Sequence, residues 1–588
     1  MPDKRRKTGR EKPAGTGKGL WRPVVKRILC MALLLCAVIV SIRTTYIVSE
    51  TLFDSDTSSE LILGEKLSRE GGIMSPSWYY STELQVIDCQ IVYSLLFRLT
   101  SDWTMVRFWG AVLMQLMMLG AFGFLAKQAR IPFNRFCLAG AVMLLPFSVP
   151  YGRIVLYHNY YTFHMIMASL TVGLYFAVMR RMKREHPLRQ WSLWVFAALM
   201  MLVSFAAGLE GVRQMMVCTV PLLAAGLFSA LTGERGETPE EQNRLRASLP
   251  GLLWALVPAV FSGLGYLVNM NAFTGVYSYT DYSGQFVAMG GIGMLDSILR
   301  NFLTTLGFHD QTELFTLHGL LGIGGVLIWL ATILLCLHTL RHTKDSYARF
   351  LCLFMFMTHL VMVCVFMLLS LDGYRMDLYF LPVTFWIIPA LAKADLRPDS
   401  GVVSGEKETG WRRLLAAGDA KLSVHGLTAV LVLVLMLANG AYYTAFFRDP
   451  VTYGKQIDYS GLNYNDTENV RGMTPIADYL RENGYTMAYA AYWDAAVITE
   501  LTDGQVKSMP VEVGTRKHPI RYFNWLSDAD LRNPEYVAGQ KVAVVANFDL
   551  SASLEEGNQY GAVEIFSVGG YSIFDLPDPA VLARDLAK

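Results

Sequence analysis

The sequence predicts an α-helical polytopic membrane protein of about eleven transmembrane helices with a C-terminal extracytoplasmic α/β domain. Three observations predict it. Hydrophobic residues make up 53% of the chain and charged residues only 17%, where soluble domains sit near ~45–50% and ~25%. Apolar runs of roughly 20 residues, enough to cross a ~30 Å hydrocarbon core, recur along most of the length. After about residue 450 the runs shorten and alternate with turn residues, as in a soluble sheet-and-helix unit. The eight cysteines lie mostly in apolar runs without Cys-x-x-Cys spacing, which argues against a disulfide framework or a zinc module.

Residues 1–27 form a basic tail that includes Lys4, Arg5, Arg6, Lys7, Arg10 and Lys12. Beside a span such a tail sets topology and touches anionic membrane lipids, and it calls for no nucleic acid. The apolar run 28–48 exceeds the ~7–15-residue core of a secretory leader and lacks a small-residue cleavage site, so it is expected to be a retained first span. Further spans are expected near 105–126, 133–149, 160–179, 191–208, 213–231, 251–269, 317–338, 350–371, 376–392 and 422–444. Two of these, 133–149 and 376–392, are short and contain Pro146 or Pro382 and Pro389.

Basic clusters sit on alternate connections: Lys127/Arg130/Arg135, Arg180/Arg181/Lys183/Arg184, Arg235/Arg244/Arg246, Arg341/Lys344/Arg349 and Lys393/Arg397/Lys407/Arg412/Arg413. The positive-inside rule then puts the N-terminus in the cytoplasm and the C-terminus outside a cell (plasma) membrane. The expected organisation is the tail, a transmembrane module over 28–444 with long outer loops at 49–104 and 270–316, and an extracytoplasmic domain over 450–588.

The first outer loop is expected to hold two helices. Asp56 and Glu60 are four apart and share a helical face. Ser75-Pro76 has the form of a helix start. Leu84, Ile87, Ile91 and Leu95 then repeat at helical spacing, as in an amphipathic helix lying on the membrane surface. In the C-terminal part, Thr474-Pro475 is expected to open a helix that Asn483-Gly484 closes. Strands are expected at 487–492, 505–513, 542–547, 562–568 and 571–574.

The candidate chemistry collects on the outer side. Asp54, Asp56 and Glu60 follow the first span directly, at headgroup depth, where carboxylates can activate an acceptor hydroxyl; a solvated turn is the plain alternative. Tyr80 and Glu83 lie further along the same loop. In the second outer loop an aromatic belt with a snorkelling Arg153 accounts for the tyrosines, but not for His158 and Asn159. Glu210 and Arg213 flank one turn between spans, and Asp372, Arg375 and Asp377 another. A guanidinium suits a lipid phosphate through bidentate hydrogen bonds, and a Glu210–Arg213 pair tying two helices is the alternative. Trp493-Asp494 reads first as a helix start packed on its domain core, and second as a sugar-stacking group. No phosphate loop, dinucleotide fingerprint or zinc helix is present.

Phe53-Asp54-Ser55-Asp56 after the first span, Leu209-Glu210-Gly211-Val212-Arg213, and Tyr374-Arg375 with Leu381-Pro382 give the chain its resemblance to a known class. With two long outer loops and a terminal α/β domain, it resembles the GT-C glycosyltransferases, which include protein O-mannosyltransferases, lipid A aminoarabinose transferases and oligosaccharyltransferases. The adjacent Asp-Glu pair of many members is missing. The resemblance implies a lipid-linked sugar donor of the polyprenyl-phosphate type and an acceptor glycan, lipid or protein. It implies Asp56 as the catalytic base, with Asp54 the close alternate and Glu60 beside them. Glu83, Tyr80, His158, Asn159, Glu210, Arg213 and Arg375 would bind substrate, the two arginines at the lipid phosphate. A divalent metal ion at Asp54 and Asp56 is admitted but not assigned, and Tyr277, Tyr279 and Tyr282 would belong to a mobile lid. Two other readings stand beside it. A transporter or flippase would place charges deep in spans and pair broken repeats, yet Arg43 is the nearest such charge. A non-catalytic envelope assembly protein would use the C-terminal domain for binding.

Overall fold

In the computed structural model the described residues are 21–82, 84–157, 159–232, 244–280, 291–308, 313–343, 345–368, 383–394, 424–449, 465–515, 518–556 and 560–586. The chain opens with α1 (Trp21–Thr51), α2 (Ser55–Glu70), strand β1 (Trp78–Tyr80), α3 (Cys89–Phe97) and α4 (Trp103–Ala129). Next come α5 (Phe133–Leu144), α6 (Val149–Leu156), α7 (Asn159–Met182) and α8 (Trp191–Leu209). They are followed by α9 (Val212–Leu231), α10 (Arg244–Val268), β2 (Ser278–Tyr279) and α11 (Leu295–Thr304). The helical part closes with α12 (Leu317–His342), α13 (Ser346–Leu368), α14 (Ile387–Lys393) and α15 (Val424–Arg448).

Among the described residues, nine helices are long and apolar enough to cross a membrane, or ten if the bent α5–α6 pair counts as one span. The chain is a multi-pass helical membrane protein. Two of the about eleven expected spans are not among these nine helices. The run 133–149 is not a straight span, because α5 and α6 meet at 93°. Pro146 stands in the break, where its missing N–H ends the helical ladder. Ser148 then caps α6 by accepting the Tyr151 N–H at 3.3 Å, and it donates to the Thr305 carbonyl at 2.7 Å. The run 376–392 lies largely outside the described residues, which show only α14 there.

The first loop also departs from expectation. Ser75-Pro76 opens no helix; the chain runs on into β1, and the Ser75 N–H donates to the Tyr80 hydroxyl at 2.9 Å. The helix begins only at Cys89, where the Asp88 carboxylate accepts the first N–H at 2.6 Å. Leu84 is buried with Trp78, Tyr80, Leu63, Leu67 and Leu209, whereas Leu95 of the same expected stripe is exposed.

The C-terminal domain consists of α16 (Asn465–Glu482), β3 (Met487–Ala491), α17 (Tyr492–Leu501), β4 (Lys507–Val513), β5 (Ile520–Tyr522), β6 (Ser527–Asp528), β7 (Val542–Ala546), β8 (Val563–Val568) and β9 (Tyr571–Asp575), with three further short α-helices and one 3-10 turn among its described residues. Its six-stranded sheet has the order β5-β4-β3-β7-β9-β8. The central β3 is parallel to both β4 and β7, and the outer pairings are antiparallel. Thr474-Pro475 does not start α16 but lies within it. The apolar stripe Val470, Met473, Ile476 and Leu480 is buried across the proline, and that packing carries the helix past the missing N–H. A second sheet, β2-β1-β6, joins three distant segments.

Within the helical part, α8 and α10 cross at backbone contact. A Cβ on Gly208 would stand 2.0 Å from the Ser262 carbonyl oxygen, and one on Gly265 2.1 Å from that of Phe205. Small residues permit such approach where no hydrophobic effect drives helices together in lipid. Gly208→Ala is expected to lower stability by about 1–3 kcal/mol by forcing the helices apart, read as a lower unfolding midpoint in detergent.

Candidate active site

Three residues separate α1 from α2, and the turn between them is fixed by Asp54. Its Oδ1 accepts from the Thr57 N–H and hydroxyl, both at 3.0 Å, while the Asp54 N–H donates to Thr57 Oγ1 at 3.0 Å. This reciprocal cap satisfies the first free amides of α2 and sets negative charge at its positive end. Asp54 Oδ2 accepts from Arg153 Nη2 on α6 at 3.3 Å, with both side chains buried. Arg153 therefore points into the protein instead of snorkelling.

Asp56, half-buried on the first turn of α2, accepts a hydrogen bond from the Tyr492 hydroxyl of the C-terminal domain. Burial first, then the Asp56 charge, pushes the Tyr492 phenol well above its usual range, so it stays protonated and donates. Ser55 Oγ donates to the Tyr492 carbonyl. Ser58 Oγ donates to Glu500 Oε2 at 2.6 Å, and Arg107 Nε to Glu500 Oε1 at 2.5 Å with a second contact through Nη2. The start of α2 is thus held between α1, α4, α6 and α17.

One turn on, Glu60 is buried, and the Cys89 thiol donates to its Oε2 at 3.7 Å. Burial pushes its carboxyl from the ordinary 4.5 to about 7; the Cys89 bond opposes this and the Asp56 charge adds to it. Asp88 is raised well above the carboxylate range by burial and by its neighbours Glu210 and Glu60. Asp56, Glu60, Asp88 and Glu210 therefore form one acidic neighbourhood.

The turn between α8 and α9 holds Thr82 and the segment 84–87 against this site. Glu210 accepts the Ile87 N–H, and Arg213 Nη2 donates to Thr82 Oγ1 at 2.9 Å. Asn269 Nδ2 bridges the Leu84 and Leu209 carbonyls, at 2.7 Å each. Tyr80 is buried with its hydroxyl on the backbone. Asn159 is buried and donates to the Tyr93 hydroxyl at 2.7 Å. Glu83, His158, Arg375 and Tyr282 lie outside the described residues, whereas Tyr279 of the same loop pairs with Tyr80 in the small sheet and the Tyr277 ring stands 6.1 Å from that of Tyr80. The sequence reading missed Tyr492, Glu500, Asp88 and Arg107. Only Arg107 carried a signal, as a charge inside an apolar helix.

The donors do not fit a divalent cation at Asp54 and Asp56. Both oxygens of Asp54 are engaged by Thr57 and Arg153, and among the described residues no three His, Cys, Asp or Glu side chains are grouped for a metal.

The raised Glu60 carboxyl makes stability depend on pH. Below about 4.5 both folded and unfolded forms carry the proton. Between about 4.5 and about 7 the unfolded chain loses it first, so stability falls as pH rises through that window and is flat above it. Glu60→Gln keeps the shape and removes the titration. Its melting temperature is expected to exceed wild type at pH 8, by up to about 3 kcal/mol in stability, with the gap nearly closed at pH 5.

No protein-family profile matches the chain, and no curated protein matches it in sequence. Solved structures do match. ArnT from Cupriavidus metallidurans bound to undecaprenyl phosphate aligns at 13% identity over 93% of this chain and 97% of its own, with a TM-score of 0.48. The Archaeoglobus fulgidus oligosaccharyltransferase tethered with an acceptor peptide containing the NVT sequon aligns at 13% identity over 94% of this chain and 74% of its own, TM-score 0.43. AglB of Archaeoglobus fulgidus, in complex with an inhibitory peptide and a dolichol-phosphate, aligns at 14% identity over 93% and 74%, TM-score 0.45.

Proposed function

We propose that the chain is a membrane glycosyltransferase that moves a sugar from a polyprenyl-phosphate-type lipid donor to an acceptor on the extracytoplasmic face. In this reading the N-terminus is cytoplasmic and the domain after about residue 450 lies outside a cell membrane. The observation that carries it is Asp56, a half-buried carboxylate one turn past the first span, aimed by Tyr492. An alcohol is a poor nucleophile until its proton leaves as the new bond forms, and a fixed carboxylate takes that proton.

The acceptor oxygen attacks the anomeric carbon and donates its proton to Asp56. The bond from that carbon to the lipid phosphate oxygen breaks, and its electron pair leaves with the phosphate. Positive groups at the departing phosphate lower this barrier, and Arg213, with Arg375, is assigned that task. Asp54 acts on position: its cap and its Arg153 contact hold the turn that presents Asp56. Glu60, raised towards neutrality, lets Asp56 carry the negative charge of the pair.

Asp56→Asn keeps the size of the side chain and removes the base. In proteoliposomes supplied with radiolabelled polyprenyl-phosphate sugars, its transfer rate is expected to fall at least ~100-fold while insertion and melting temperature stay as in wild type. Transfer at the wild-type rate refutes the assignment.

A further inference from the structure

The first turn of α17 carries two adjacent aromatic residues with different surroundings. Tyr492 is half-buried with its hydroxyl on Asp56. Trp493 is 44% exposed, a large apolar area to leave in contact with water. Their ring centroids lie 5.2 Å apart at 70°. The Tyr492 ring also stands 5.2 Å from Phe523, tilted at 45°. Asp494 is the residue of this turn that packs inward: it is buried and accepts from the Tyr571 hydroxyl at 3.1 Å. That bond pins the turn and leaves Trp493 on the outside. The Phe523 segment is pinned as well, since Thr280 Oγ1 donates to the Asn524 carbonyl at 2.7 Å and the Thr280 N–H to the Ser81 carbonyl at 3.0 Å.

We infer that this platform is the acceptor subsite of the proposed transferase and that the acceptor it takes is a carbohydrate. The inference rests on that functional reading. A pyranose ring has an apolar C–H face and a polar hydroxyl edge, so it covers an indole while its hydroxyls stay with water and polar neighbours. Asn524 and Arg521, both exposed, supply such neighbours beside Phe523. A sugar on Trp493 has Asp56 one phenol side chain away, so its next hydroxyl or ring can reach the base. A peptide acceptor would use main-chain pairing on a sheet edge, and the edge strand that leads into Phe523, β5, is only three residues long, while the longer edge strand β8 lies at the opposite side of the sheet.

The test uses the full-length protein in nanodiscs without donor lipid. Saturation-transfer NMR is recorded with maltohexaose, chitohexaose and mannohexaose, beside a serine- and threonine-rich peptide and phosphatidylglycerol vesicles. Saturation should pass to the ring C–H protons of at least one oligosaccharide. Trp493→Ala should weaken that binding roughly tenfold or more, and Trp493→Phe should restore most of it, with melting temperatures unchanged. Absence of binding by all three sugars overturns the inference. So does sugar binding that Trp493→Ala leaves intact, or Trp493-dependent binding of the peptide or the vesicles instead. Asp56→Asn should bind the oligosaccharide as wild type does. Transfer surviving in Asp56→Asn sinks the reaction assignment alone, whereas loss of transfer there with no sugar binding at Trp493 sinks the subsite alone.

Discussion

The arrangement depends on one buried ion pair, Arg107 of α4 with Glu500 of α17. Both side chains are almost wholly removed from solvent, so each charge loses its hydration and must recover it from the other. The guanidinium reaches both carboxylate oxygens, Ser58 adds a third bond, and the Arg107 cation lies 4.8 Å above the Phe53 ring. A bidentate pair is directional as well as strong. It therefore fixes the angle at which the C-terminal domain meets the membrane helices, and Phe53 and Ser58 bracket the turn on which Asp54 and Asp56 stand.

The far end of α2 is tied to the same domain. Lys66 lies between Asp528 and Asp530 at 2.9 and 2.7 Å, with Glu70 at 3.4 Å. The helix bearing Asp56 is thus gripped at both ends by residues more than four hundred positions downstream. Its carboxylate accepts from a tyrosine of the same distant segment, so the C-terminal domain forms part of the candidate site. Rigid support of this kind is what a group needs to meet a reacting hydroxyl at productive geometry.

Local features were legible in the sequence and long-range ones were not. The strands around 487–492, 542–547 and 571–574 showed because alternation and turn residues are local, and β3, β7 and β9 end within two residues of those bounds. Asp56 and Glu60 on one helix followed from spacing alone. What separates Asp54 from Asp56 is two residues of register at a helix start: one becomes a cap on Thr57 and Arg153, the other faces Tyr492. Spacing does not say where the first turn begins. Ser75-Pro76 misled because a cap followed by proline also suits an extended segment entering a strand. Tyr492 and Glu500 gave no sign, since their meaning comes from partners on α2 and α4 that no local pattern links to them.

The three-stranded sheet β2-β1-β6 has a consequence for biosynthesis. Its strands span only two or three residues each, too short to persist singly, and pairs of strands are marginal in water even when longer. Strand β6 and the Glu500 anchor both lie more than four hundred residues downstream of α2, and so emerge long after α2 has left the ribosome. Until that stretch is translated and docks, the carboxylate-bearing helix lacks its partners Tyr492, Glu500 and Asp528. Docking of that segment thereby becomes the event that assembles the candidate site.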